Sequence, residues 1–409
     1  MAGGQSRMRI GPLDGLRALA LGGVVVFHLF GISGVLTAGG NSLHERVIWT
    51  IFGNTLDIFF ILSGFVLFLP ILMRGGKMES TGIFYLKRLS RIQPEYWLCL
   101  VVLALMIALI PVDSFFEPAV PSFGKFMLHF FDLQTAARMV NPEGRTGFGI
   151  DGALWLVPLI VGLYLVFPLL ARMFLRFPWG ALLIAAAVTA SWKLAPVHFP
   201  GIFQSISGHV TTDENLKIIA LDQSPAYFFS FSLGLAAARI YFWTRNNPDS
   251  PWIHRGVILA FVIGIPAYFL LSLPYTDAAL QTTTGFDGSS RGRGLVLDNM
   301  GATIVRTMLI LGIILGPLWL QRAFTGRPIR WIADQSYGIY LIHLPIAFYV
   351  ALLITPSQNG SLKAFAVWCL LVLPPAAAYA WASRTFVGRP SIDWTSRWIK
   401  RRQTRTADA

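Results

Sequence analysis

An imidazole and a guanidinium lie within the first apolar run of the sequence, at His28 and Arg17. Ionisable groups are expensive inside lipid, so each asks for a partner or a function. Their separation of eleven residues is close to three helical turns, which puts both side chains on one helix face. The rise between them is roughly 16 Å, so Arg17 falls near one membrane surface and His28 deep in the opposite half. An arginine so placed can also simply snorkel to the interface. His28, flanked by Phe27 and Leu29, must hydrogen-bond something, because an unpaired buried polar group costs a few kcal/mol. Asp57, in Asn54-Thr55-Leu56-Asp57-Ile58-Phe59-Phe60, is the candidate partner. Counted inward along its own run it reaches a depth of about 15 Å, within a turn or two of His28. A carboxylate beside an imidazole fixes the tautomer and raises its basicity, which makes a general base; a helix-packing pair without chemistry fits the same spacing.

Arg88 and Arg91 are three apart and present together on a helix. Two guanidiniums in reach of each other suit a phosphate or diphosphate by their fork geometry, while membrane anchoring by positive charge fits equally. Tyr340 and His343 also share a face, compatible with a site or with helix–helix hydrogen bonding. Arg306, in mid-span, must pair or face a cavity. Lys193 and Arg384 lie near span ends, where they can snorkel, and receive no role. His129, His198 and His209 are too scattered for a metal site, so no metal is expected. Cys99 and Cys369 sit in apolar runs and read as small buried hydrophobes. Ser63 and Gly64 follow Asp57 and predict close helix packing.

The elements that must position these groups are membrane helices. The chain has 409 residues, 55% apolar and 13% charged, against about 25% charged in an average soluble protein. The expected fold is all-α, a polytopic bundle of about ten spanning helices. The spans are 13–33, 47–73, 93–111, 153–174, 179–197, 223–243, 253–274, 298–321, 329–355 and 361–387. The domain division is an N-terminal segment 1–12, a membrane domain 13–387 and a basic tail 388–409. Basic residues precede the first span as they do in a secretory signal, but Asp14, Arg17 and His28 within it predict a retained helix. With the N-terminus inside, about 22 Lys and Arg fall in inner segments and about 8 in outer ones, which predicts both termini in the cytoplasm. The net charge of +13 would suit a nucleic acid, yet it sorts by loop and forms no single stripe, so none is expected. Residues 74–92, with Phe84, Tyr85, Leu86, Leu89 and Ile92 among Lys87, Arg88 and Arg91, predict a surface-lying helix feeding the third span. The long polar segments 112–152, 198–222 and 275–297 can cap an external cavity.

Four blocks in this order resemble the acyltransferase-3 family of bacterial membrane O-acyltransferases. They are Leu13-Asp14-Gly15-Leu16-Arg17-Ala18-Leu19-Ala20 followed by His28, and Asp57-Ile58-Phe59-Phe60-Ile61-Leu62-Ser63-Gly64-Phe65. Then come Arg88-Leu89-Ser90-Arg91-Ile92-Gln93-Pro94-Glu95-Tyr96 and Ser336-Tyr337-Gly338-Ile339-Tyr340-Leu341-Ile342-His343-Leu344-Pro345. The resemblance implies transfer of an acyl group, usually acetyl, from acyl-CoA to a hydroxyl of an envelope sugar or glycolipid in the bacterial plasma membrane. It implies His28 as the essential histidine, Arg17 below it, and Arg88 and Arg91 at the donor's phosphates. Trp155, Tyr340 and His343 are then supporting or acceptor residues, and no cofactor is permanently bound. Two positions depart from the pattern: Ile160 and Gly388 stand where glutamates are common. Two readings are open: Asp57, or an outer-loop acid such as Asp151, takes over the missing role, or the chain is a divergent subfamily with a different acceptor or reduced activity.

The resulting expectation is an acyl-CoA-dependent enzyme in which His28, oriented by Asp57, deprotonates the acceptor. The rivals are an exporter of a polar lipid or polysaccharide and an inactive family member acting as a partner subunit. No inverted repeat of the kind common in transporters is found in the sequence.

Overall fold

The computed structural model describes residues 10–36, 42–53, 55–110, 120–141, 146–207, 222–281 and 290–407. Most of segment 198–222, and parts of 112–152 and 275–297, lie outside them, as do Asn54 and His209. Among the described residues the chain is helical throughout and has no strand. The helices are α1 (Gly11–Ile32), α2 (Leu43–Phe52), α3 (Leu56–Met73), α4 (Thr81–Leu109), α5 (Phe123–Phe130) and α6 (Gln134–Val140). There follow α7 (Leu156–Arg176), α8 (Pro178–His198), α9 (Pro200–Ser207), α10 (Phe228–Asn246), α11 (Pro251–Val262) and α12 (Gly264–Gln281). The last are α13 (Ser290–Leu315), α14 (Leu318–Ala323), α15 (Arg327–Leu353), α16 (Leu362–Ser383) and α17 (Arg389–Ala407).

Every predicted span coincides largely with helix, but 47–73 is divided between α2 and α3, 253–274 between α11 and α12, and 298–321 between α13 and α14. Eight helical segments are long and apolar enough to cross a membrane. The other two predicted spans correspond to α10 and to the shorter apolar stretch Asn299–Leu315 within α13. Both carry polar groups into the bundle: Ser230, Ser232, Thr303, Arg306 and Thr307 are all buried. Buried polar groups that bond to other helices lower a segment's mean hydropathy without exposing it to lipid.

α3 and α10 pack in close contact, and two glycines make it possible. A Cβ on Gly64 would lie 2.1 Å from the Phe231 carbonyl oxygen, and one on Gly234 would lie 2.0 Å from that of Ile61. With no side chain at either point the backbones approach directly, as the small residues after Asp57 predicted.

The basic segment before the third span is not a separate surface helix. Ser80 caps the N-terminus of α4, its hydroxyl accepting from the Ile83 N–H, and the helix then runs for 29 residues through Pro94. The proline leaves the Ser90 carbonyl without its helical donor, and nearby the Tyr337 hydroxyl donates to the Ile92 carbonyl at 3.2 Å. Arg88 and Arg91 are therefore fixed rigidly to the span. At the other end of the chain, α16 passes through a π turn, Arg384–Gly388, into α17, which packs along α4.

Candidate functional site

His28 sits in the last turns of α1, and α15 packs along α1 so that His343 meets it. The two rings stack with centroids 5.1 Å apart and planes 14° from parallel. The Nδ1 of His28 lies 2.9 Å from the Nε2 of His343, and the Nδ1 of His343 lies 2.8 Å from the Tyr340 carbonyl oxygen. A carbonyl can only accept, so a neutral His343 carries its proton on Nδ1 and donates it there. Its Nε2 is then a lone pair, which accepts from the Nδ1–H of His28. In that arrangement the remaining nitrogen of His28, Nε2, carries the ring's lone pair, with no hydrogen-bond partner among the described residues. His343 is wholly buried, whereas His28 is half-buried.

Asp57 is not the partner of His28. Its carboxylate accepts from Arg306 Nη1 at 2.6 Å, from the Thr303 hydroxyl at 2.8 Å and from the Ser230 hydroxyl at 3.0 Å. Asp57 is 6% exposed and Arg306 5%, so the pair is buried. A guanidinium is a stronger partner for a buried carboxylate than a neutral imidazole, and α13 brings one within reach. Lys193 stands at the edge of this cluster, donating to the Asn299 side chain at 3.1 Å.

Arg17, Arg88 and Arg91 come from two helices to one cleft, as their spacing allowed. The cleft encloses about 1170 Å³ of empty space, part of it open to solvent. Glu95, Asp334, Tyr337, Tyr340 and Arg384 also line it, together with an apolar wall that includes Val66, Val157 and Ile160. Tyr340 joins the two regions: its side chain borders the cleft while its carbonyl orients His343. Its hydroxyl donates to the Ala153 carbonyl. Trp155 is not among the cleft residues; it packs near Tyr227, with ring centroids 6.3 Å apart.

Of the two departures noted in the sequence, one lines this cleft and the other abuts a residue that does. Ile160 contributes to its apolar wall. Gly388 faces Glu95: a Cβ there would lie 2.1 Å from the Glu95 Oε1. Glu95 is buried, and the Ser383 hydroxyl donates to its Oε2 at 3.2 Å. A carboxylate thus occupies the space beside Gly388, but it is carried by α4. Asp151 is fully buried before α7, where its Oδ1 accepts from the Ala153 N–H at 3.1 Å.

Sequence reasoning gave Glu95 and Arg384 no role, since one was only quoted in a motif and the other lay at a span end. The Asp57–Arg306 pair carried a signal: two mid-span charges of opposite sign, each in need of a partner. Among the described residues, no three His, Cys, Asp or Glu side chains converge as a metal would require.

Another buried histidine, His129, lies in α5. Its Nδ1 donates to the Lys125 carbonyl at 2.9 Å and its Nε2 accepts from the Gly147 N–H at 3.1 Å. Burial pushes its pKa down to about 4, so the ring is neutral with both nitrogens engaged. Nearby, burial pushes the Asp132 carboxyl up to about 7, although Gln93 donates to it.

Residues 10–381 match the sequence profile of a family described as an acyltransferase domain. The peptidoglycan O-acetyltransferase of Listeria monocytogenes is 25% identical over 351 residues, 83% of this chain and 50% of that protein. A Staphylococcus aureus protein (strain MRSA252), provisionally named an O-acetyltransferase, is 23% identical over 96% of this chain and 60% of its own length. A second, from strain MSSA476, is 23% identical over 84% of this chain and 52% of its own length. The chain thus spans between half and three-fifths of the length of these relatives. No solved structure matches it.

Proposed function

We propose, from the premise that this chain belongs to the acyltransferase-3 family, that it transfers an acyl group, acetyl above all, from acyl-CoA to a sugar hydroxyl of the bacterial envelope. The observation that carries the reading is the His28–His343–Tyr340 relay, which leaves one lone pair free on a reachable imidazole. The acceptor is a saccharide or glycolipid of the cell wall, in keeping with a relative named for peptidoglycan.

The chemistry follows from the positions. Arg17, Arg88 and Arg91 take the phosphates of the donor at the cytoplasmic face, where CoA is found. The pantetheine arm extends along α1 and covers the roughly 16 Å rise from Arg17 to His28. The Nε2 of His28 removes the proton of the acceptor hydroxyl as its oxygen attacks the thioester carbonyl. The carbon–sulfur bond then breaks, and the thiolate leaves as free CoA once it takes the proton from the imidazolium. The donated Nδ1–H···Nε2 bond to His343 holds the ring in the one tautomer that can act as a base.

The test is transfer of radiolabelled acetyl from acetyl-CoA to isolated envelope glycan by the purified protein. Wild-type protein should label the glycan, and His28→Ala should lower the rate by about 10²–10⁴-fold, the usual contribution of a general base. Undiminished labelling by His28→Ala would remove the mechanism. Labelling from another acyl donor, with none from acetyl-CoA, would replace the donor.

A further inference from the structure

We propose that Arg384 is a diphosphate-binding residue of the cleft, held in reserve by Asp334 until an anionic ligand displaces that carboxylate. The inference rests on the donor reading above and names a residue and an exchange that the reading does not contain.

Arg384 opens the π turn between α16 and α17 and lines the cleft that holds Arg88 and Arg91. Short π segments recur at functional positions, because they turn side chains that a regular helix would point elsewhere. The backbone around it is pinned: Gly388 abuts the Glu95 carboxylate, and Ser383 is bonded to it. The side chain, by contrast, is weakly held. Its one ion pair among the described residues is a single contact, Nη2 to Asp334 Oδ1 at 3.4 Å, with the two side chains 26% and 41% exposed. Pairs of this kind are worth at most about 1 kcal/mol. The buried Nε of Arg384 has no hydrogen-bond partner among the described residues.

Charge points to the ligand. Four arginines line the cleft (Arg17, Arg88, Arg91 and Arg384) against two carboxylates, Glu95 and Asp334. The surplus of two positive charges, partly shielded from solvent, matches the two negative charges of a diphosphate diester. A phosphate oxygen pair accepts two parallel N–H groups from one guanidinium, so it outcompetes a long single contact to Asp334. Arg384 then turns from Asp334 to the ligand while its backbone stays in place.

The experiment measures equilibrium binding of CoA and of ADP to the full chain in detergent, with melting temperature as the check on folding. Arg384→Gln should weaken both ligands at least about tenfold, and Arg384→Lys should recover part of the loss. Asp334→Asn, which frees Arg384 in advance, should tighten both by about three- to fivefold. The double variant should bind as Arg384→Gln does. A purely structural ion pair predicts no such opposition of sign. If the wild type binds and Arg384→Gln binds equally well, or if Asp334→Asn weakens binding, the proposal on Arg384 fails alone. If the wild type binds neither ligand, the donor reading fails and this proposal falls with it.

Discussion

The Asp57 carboxylate and the His28 imidazole both lie on apolar membrane helices, where an unsatisfied polar group costs several kcal/mol. Asp57 is surrounded by three donors from α10 and α13 and has a buried counter-ion in Arg306. Its valences are spent on joining helices. His28 has one nitrogen tied to His343 and the other without a partner among the described residues, and it is the more exposed of the two rings. His129 is a histidine built like Asp57, with both nitrogens bonded to backbone. Burial of an ionisable group therefore does not by itself mark chemistry in this bundle; the role proposed for His28 rests instead on an oriented lone pair.

This contrast is open to mutation. The largest stability effect should come from Asp57→Asn, which leaves Arg306 buried without its counter-charge and should cost about 3–5 kcal/mol. Thermal melts in detergent would read it. The paired change Asp57→Leu with Arg306→Leu should recover most of that loss, since a buried ion pair replaced by apolar side chains is often neutral. If Asp57→Asn instead melts like wild type and loses only its transfer rate, Asp57 belongs with His28 and the contrast collapses.

His129 should report through pH. Its folded-state pKa of about 4 lies below the usual 6.5, so the neutral form stabilises the fold. That stability is complete above about pH 6.5 and is lost as pH falls toward 4, some 3 kcal/mol in all. Comparing melting curves of wild type and His129→Gln across this window should show a flatter acid limb in the variant. An equal acid limb would mean that His129 is not held as neutral as its bonds imply.

The smallest effect should come from His343→Gln, which sharpens the division of labour within the pair. A glutamine can still accept from His28, so a loss of about 10- to 100-fold in kcat with little change in donor KM is expected, of the order of one to three kcal/mol. The pH–rate profile should shift as well, because the imidazole acting as base has a different neighbour. Loss of folded protein without a shift in the profile would assign His343 to packing alone.

Much of the architecture was legible in the sequence because lipid imposes one-dimensional rules. Twenty-residue apolar runs can only be helices there, and the glycine after Ser63 announced a close crossing that Gly64 and Gly234 make. The cleft was partly legible too, since Arg88 and Arg91 lie on one helix face and Arg17 precedes His28 on another. Spacing within a helix, however, says nothing about which helix comes alongside. Asp57 and His28 have similar depths in the bilayer, and depth alone suggested their pairing. The approach of α13 to α3 gave Asp57 to Arg306, and that of α15 to α1 gave His28 to His343. The exclusion of Arg384 had the same cause: a span end reads as an interface until the π turn and α17 fold it against α4.

The sequence by itself determined that this chain is a helical membrane bundle, which family it resembles, and which residues carry charge where lipid penalises it. Those facts depend on local composition and on a fixed helical repeat, and both can be read along one strand of text. Only the tertiary structure decided which buried groups satisfy one another. A hydrogen bond between residues 315 positions apart is set by the packing of whole helices, and it is that bond that frees one nitrogen of His28.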